Sequence, residues 1–181
     1  MISVGLLELN SIAKGIEAAD VILKTAQTEL VFARPSCPGK YQILFTGEVA
    51  AVRSSLEAGQ RAGERFVVDA ILIPRIHPQV VQAISGCAMP EDMKALGIME
   101  YFSVAAAVYG ADAAVKAADI DLVDIRLGTG IGGKSFVVMT GDVAAVNEAV
   151  KCGMERADQD GLTVASVVIP NPHPGVFDSL L

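Results

Sequence analysis

The sequence predicts an α+β chain made of two tandem copies of one β-α-β-β-α-β-α domain, and three observations carry that prediction. First, the chain repeats itself. Displaced by ninety-two places, Gly5 to Arg34 falls on Gly97 to Arg126, pairing Glu8 with Glu100, Ser11 with Ser103, Asp20 with Asp112 and Lys24 with Lys116. After a two-residue length change KYQILFTGEVAAV (Lys40 to Val52) meets KSFVVMTGDVAAV (Lys134 to Val146), and after another IPRIHPQV (Ile73 to Val80) meets IPNPHPGV (Ile169 to Val176). Second, short β-branched runs alternate with longer segments of helical apolar spacing, in the same order in both copies. Third, 52% hydrophobic against 19% charged residues is ample for a packed core.

Each element can be justified in order, with the other copy as a check. Gly5 to Leu9 and Leu96 to Phe102 read as strands. Ser11 and Ser103 are placed to N-cap the helices that follow, whose apolar faces repeat at Ile12/Ile16/Ala19/Leu23 and Val104/Val108/Ala111/Val115. A hairpin follows in each copy: Leu30 to Ala33 with Tyr41 to Thr46, and Leu122 to Leu127 with Ser135 to Thr140. A glycine then leads into a helix carrying Val49/Val52/Leu56 or Val143/Val146/Val150. The last strands, Phe66 to Pro74 and Leu162 to Pro170, run into a short helix after His77-Pro78 or His173-Pro174. This order is a ferredoxin-like split βαβ with an added helix, a sheet with its helices on one face. The copies meet near Ser85 to Leu96, which sets the domains at 1–90 and 91–181.

Composition excludes several classes. With 21 acidic against 14 basic residues the net charge is −7, and no lysine or arginine run relieves it, so nucleic acid is not expected as a partner. The longest uncharged apolar stretch, around Tyr101 to Ala111, falls well short of a membrane span. The opening MISVGLLELN lacks the basic segment and length of a secretory signal, so the chain is expected to stay in the cytosol. Three cysteines, Cys37, Cys87 and Cys152, are then free thiols or ligands rather than disulfides. Cys87 in the inter-domain connection and Cys152 within a helix read as packed or incidental thiols.

Gly128 to Ser135 spells GTGIGGKS and satisfies the letters of a phosphate-binding P-loop. The context refuses it. A P-loop must open a helix whose first amides point at the phosphates, whereas SFVVMTG after Lys134 reads as a strand. The matched loop of the first copy, PSCPGK (Pro35 to Lys40), could not build one either. Both loops read as hairpin connections.

The repeated pieces together resemble a known family, the shell proteins of bacterial microcompartments. They are G-[LI]-[LM]-E near each domain start, A-D-x-x-[LV]-K-x-A at Ala19 to Ala26 and Ala111 to Ala118, G-[ED]-V-A-A-V after the hairpin, and I-P-x-x-H-P at each domain end. They span nearly the whole chain and point to the tandem-domain, trimer-forming branch, nearest to its cluster-carrying members in propanediol utilisation compartments. The resemblance implies two tandem shell domains, a homotrimer forming a pseudohexameric tile with a central pore, and a shell lying within the cytoplasm. The partners implied are other shell proteins and encapsulated redox enzymes. It further implies a [4Fe–4S] cluster, one per trimer, at a loop matching Cys37-Pro38-Gly39-Lys40, with Cys37 of each chain as the metal ligand.

In such tiles the hairpin loops face the central axis. Ser36 and the second loop, Gly128, Thr129, Gly130, Ile131, Gly132 and Gly133, would line the pore, and the glycines read as a flexible connection where loops crowd. Pro38 restricts the loop, Gly39 lets the backbone approach a bulky group, and Lys40 adds positive charge favouring thiolate. Lys24, Lys116 and Arg75 match residues of the tile edge; Asn171 stands where the second copy would repeat Arg75. His77 and His173 precede proline at helix starts and have no carboxylate or nucleophile spaced with them, so catalysis is not expected. Two rival readings remain: a shell tile whose pore passes metabolites without a cluster, and a soluble nucleotide- or ligand-binding regulator using residues 128–135.

Overall fold

The computed structural model describes residues 2–86 and 94–180. Cys87 and the expected junction at residue 90 lie outside them. The chain divides into two compact units, one of Met1–Ile76 with Thr129–Gly132, the other of His77–Gly128 with Gly133–Leu181.

In the first unit the order is β1 (Ser3–Leu9), α1 (Ile12–Thr25), β2 (Thr28–Ser36), β3 (Lys40–Gly47), α2 (Val49–Gly63), a 3-10 turn and β4 (Val67–Ile73). The strands lie in the order β2-β3-β1-β4, with every neighbouring pair antiparallel. The second unit holds α3 (Pro78–Ser85), β5 (Ala95–Tyr101), α4 (Val104–Ala117), β6 (Ile120–Leu127), β7 (Ser135–Gly141), α5 (Val143–Gln159), β8 (Thr163–Ile169) and α6 (Pro174–Asp178), with strand order β6-β7-β5-β8. Both sheets have the split βαβ topology that the sequence predicts. By the repeat α3 closes the first copy; by packing it belongs to the second unit, where it lies against β6 and α4.

Local chemistry explains the boundaries. Ser11 Oγ accepts the Lys14 N–H and Ser103 Oγ the Ala106 N–H, each at 3.4 Å, satisfying amides that a first helical turn leaves open. Both bonds are long, so Ser11→Ala or Ser103→Ala should each cost no more than about 1 kcal/mol, a fall of about 2–4 °C in Tm by differential scanning calorimetry. The helix after β7 starts where the β-branched run ends at Gly141, with Asp142 extended at the N-cap.

One expectation fails, and instructively. Of the expected positions Ile12/Ile16/Ala19/Leu23 on α1, Ala19 is buried, together with Gly15, Ala18 and Ile22, whereas Ile12, Ile16 and Leu23 are 44%, 56% and 41% exposed. The cause is close approach. A Cβ at Gly15 would come within 2.4 Å of the Tyr41 ring, so a ring from β3 fills the space that a larger helical side chain would need. In the second unit the expected positions Val104, Val108 and Ala111 are buried as predicted. Val143, expected at the inner face of α5, is exposed, while Val146 and Val150 are buried.

Candidate functional site

The first hairpin loop is the turn Cys37 to Gly39 between Ser36 and Lys40, which pair across the end of β2 and β3. Gly39 has φ +78, a left-handed conformation that favours glycine, and a Cβ built there would meet nothing within 4 Å. The turn therefore projects into open space. Its thiol, Cys37, is free and half-buried, Pro38 and Gly39 are exposed, and the Cys37-Pro38 peptide is cis. Ser36, at the base, is buried with its hydroxyl unpartnered among the described residues.

Beneath the turn lies a charge pair that the sequence analysis does not anticipate. Glu8 on β1 is only 7% exposed, and its Oε2 sits 3.0 Å from Lys40 Nζ; the Gln42 amide donates to Oε1 at 3.4 Å. Sheet register produces this: β1 runs antiparallel to β3 with Glu8 opposite Gln42, two residues from Lys40. Lys40 thus spends its charge on a buried carboxylate, which alters the expectation that it serves chiefly to favour the thiolate. The second copy repeats the device with Lys134 on Glu100. A signal existed, since Glu8/Glu100 and Lys40/Lys134 recur at matched places on otherwise apolar strands.

The second loop, between Leu127 and Ser135, carries Gly128, Gly130, Gly132 and Gly133 at φ of 67, 76, 67 and 84. Four left-handed residues in six account for its glycine content. The Gly128 N–H donates to the Lys134 carbonyl at 3.1 Å, and Ser135 opens β7 directly. No helix follows the lysine, and the lysine is held by Glu100, so the phosphate-cradling arrangement is not formed.

The remaining sequence-predicted positions fall elsewhere. Lys24 and Lys116 occupy the last turns of α1 and α4, paired i,i+4 with Asp20 at 2.6 Å and Asp112 at 2.5 Å. Arg75 lies in the turn after β4 at φ +54, a conformation that its counterpart Asn171 does not share. Of the two histidines, His173 caps its helix through the side chain, Nδ1 accepting the Gly175 N–H at 3.1 Å; His77 contributes its backbone N–H, which donates to Asp112 Oδ1 at 2.8 Å, while its Nδ1 is buried with no hydrogen-bond partner among the described residues. Cys152 donates to Glu148 at 3.4 Å; desolvation first, then that carboxylate, pushes its thiol above the usual range, the opposite of a reactive cysteine. Among the described residues no group of three histidine, cysteine or carboxylate side chains could hold a metal within one chain. None of the described helices is long and apolar enough to cross a membrane.

Comparison with known proteins gives this geometry its family. The BMC domain family matches the chain twice, over residues 3–76 and 95–172. Bacterial microcompartment shell protein PduT of Citrobacter freundii is 41% identical over 99% of this chain and 97% of its own length. A crystal structure of a microcompartment protein from Desulfitobacterium hafniense is 51% identical, covers 98% of this chain and 99% of its own, and superposes with a TM-score of 0.95. A fused permuted hexameric shell protein of the RMM microcompartment shares the fold at 21% identity and a TM-score of 0.60, over 87% of this chain and 84% of its own. Matched in both halves and along its length, the chain belongs to the BMC-domain family of bacterial microcompartment shell proteins, in a form that carries two such domains in tandem.

Proposed function

We propose that three copies of this chain close into a pseudohexameric, non-enzymatic tile of the shell, and that their Cys37 turns meet at its axis to hold one [4Fe–4S] cluster. The observation that carries the reading is the placement of Cys37: a free thiol at the tip of an open turn, with no companion ligand among the described residues of its own chain. One thiolate cannot hold a cubane cluster, whose four irons normally take four cysteines. Three chains around an axis supply three, which leaves one iron to a non-protein ligand. The turn suits that demand, because Gly39 leaves its outer side unencumbered and the Glu8–Lys40 pair fixes its base.

A bound cluster would supply one-electron transfer, and the role that follows is electron passage across the shell or redox sensing, in the company of other shell proteins and enclosed redox enzymes. The chain's own part is to present the thiol and hold the turn. A cluster seated at the axis would obstruct metabolites there.

The test is iron and acid-labile sulfide per three chains, with electron paramagnetic resonance, on anaerobically purified protein and on Cys37→Ser. About four of each in the native protein and none in the variant, with oligomeric mass unchanged, is the expected result. Absence of both after anaerobic reconstitution would leave a tile whose Cys37 merely lines a pore.

A further inference from the structure

The two copies differ at the corner where the end of the first strand meets the start of the last. In the first unit the Asn10 N–H donates to the Phe66 carbonyl at 2.9 Å, and in the second the Phe102 N–H donates to the Leu162 carbonyl at 2.8 Å. The same backbone joint thus carries its aromatic ring on opposite strands. The first unit covers its own ring, since the Arg65 guanidinium lies 5.1 Å from the Phe66 centroid, within cation–π reach. Its carboxylate is covered too: Glu64 Oε1 takes Lys14 Nζ at 3.1 Å.

The second unit leaves both uncovered. Phe102 is 58% exposed, the most of any large apolar side chain among the described residues. The connection from α5 to β8 carries Asp158 and Asp160, both exposed, and neither makes an ion pair among the described residues. Asp158 stands in the last turn of α5 and Asp160 at its C-cap, where the helix's own carbonyls disfavour a carboxylate. Burial first, then the Asp158 carboxylate, raises the pKa of Tyr101, which places Asp158 near the residue that precedes Phe102. The basic residue of that last turn, Arg156, lies over the Tyr109 ring at 4.2 Å. By the repeat, Gly161 stands where the first copy has Arg65, and Ala106 where it has Lys14. A ring and two carboxylates therefore remain at a corner from which both covering cations are missing.

We infer that the corner of Phe102, Asp158 and Asp160 is a docking surface for another protein, and that it receives an exposed loop or tail bearing arginine. The first copy indicates the occupant, because a guanidinium on the ring with positive charge at the carboxylate is what Arg65 and Lys14 supply there within one chain. Arginine suits the corner better than lysine: its flat face stacks on a ring while its N–H groups reach a carboxylate. The partner binds the second copy alone, since Asn10 offers no ring and Glu64 is already paired. Both carboxylates face water, so the contact weakens as salt rises.

The test is binding of fluorescently labelled tetra-arginine and tetra-lysine peptides, read by anisotropy at low and at physiological salt, with circular dichroism to confirm folding. The variants are Phe102→Asn, which installs the residue of the first copy and leaves charge unchanged, and Asp158→Asn with Asp160→Asn. Glu48→Gln with Glu57→Gln, two exposed acids at α2, is the control of equal charge change. The native chain should bind tetra-arginine more tightly than tetra-lysine, Phe102→Asn should weaken tetra-arginine about two- to fivefold, and the Asp158/Asp160 pair should weaken it at least as much. The α2 control should bind as the native chain does. No binding to the native chain, Phe102→Asn binding as tightly as native, or an equal loss in the α2 control would overturn the inference, the last by reducing it to diffuse attraction to a chain of net charge −7. Light scattering of the native chain and Phe102→Asn should give one mass; a smaller assembly in the variant would assign the corner to a second copy of this chain and overturn it as well.

Discussion

Gly110→Ala is expected to lower stability by about 3 kcal/mol, a fall of about 6–12 °C in Tm, although it adds a single methyl group. The Cβ would stand 2.1 Å from Tyr101 Oη, 2.7 Å from its Cζ and 2.9 Å from the Gly153 carbonyl oxygen. None of these neighbours can retreat cheaply. Tyr101 is wholly buried, and its hydroxyl donates to the Gly153 carbonyl at 3.0 Å. Pushing the ring away would leave that oxygen without its donor as well as crowd the core. Burial also raises the phenol's pKa well above its ordinary value, so it remains a donor across the working pH range.

The repeat supplies the compensating change. At the places of Tyr101 and Gly110 the first copy has Leu9 and Ala18, and its own tyrosine, Tyr41, stands across the strand pair against Gly15; the second copy has Ser135 and Ala107 there. Each domain therefore fits one tyrosine against one helical glycine, but on different strands, with the glycine moved by one helical turn to match. Tyr101→Leu should accordingly recover part of the loss caused by Gly110→Ala, the remainder being the cavity left where Ser135 replaces a ring. Equal melting of Gly110→Ala and the native chain, or strictly additive losses in the double variant, would refute this account.

The same exchange explains what was legible in the sequence and what was not. The repeat fixes element order, because strands, caps and glycines recur together and chance does not repeat them over whole domains. The ends of β1 and β6 and the start of α1 fall within about two residues of expectation, the usual uncertainty of element ends. The inner face of α1 was misread because hydrophobicity favours Ile12, Ile16 and Leu23, whereas close packing on Tyr41 favours Gly15 and Ala18, residues too small to score as core. Cys37 could be placed at a hairpin turn from residues alone, but the ligand set proposed for it is completed by other chains, and such a set leaves no spacing within one chain to read.

Lys40→Met is expected to cost about 2–3 kcal/mol, while the matched Lys134→Met costs under about 1 kcal/mol, and burial decides between them. The Glu8 side chain is 9% exposed and that of Lys40 29%; Glu100 and Lys134 stand at 31% and 42%. Removing the ammonium at position 40 leaves a buried carboxylate with the 3.4 Å Gln42 amide as its remaining hydrogen bond among the described residues, so the loss is dominated by uncompensated charge rather than by the pair's own worth. Glu8→Gln together with Lys40→Met removes both charges and should restore most of the stability, whereas Glu100 can keep its water and needs no such rescue. On the proposed reading of a cluster held by three Cys37 thiolates, the double variant also separates two roles for Lys40. If the lysine serves to anchor the turn through Glu8, the neutral pair should reconstitute as much iron as the native chain. If its charge acts on the three thiolates directly, iron retention falls even though the fold has recovered, because what is missing then is positive potential at the axis.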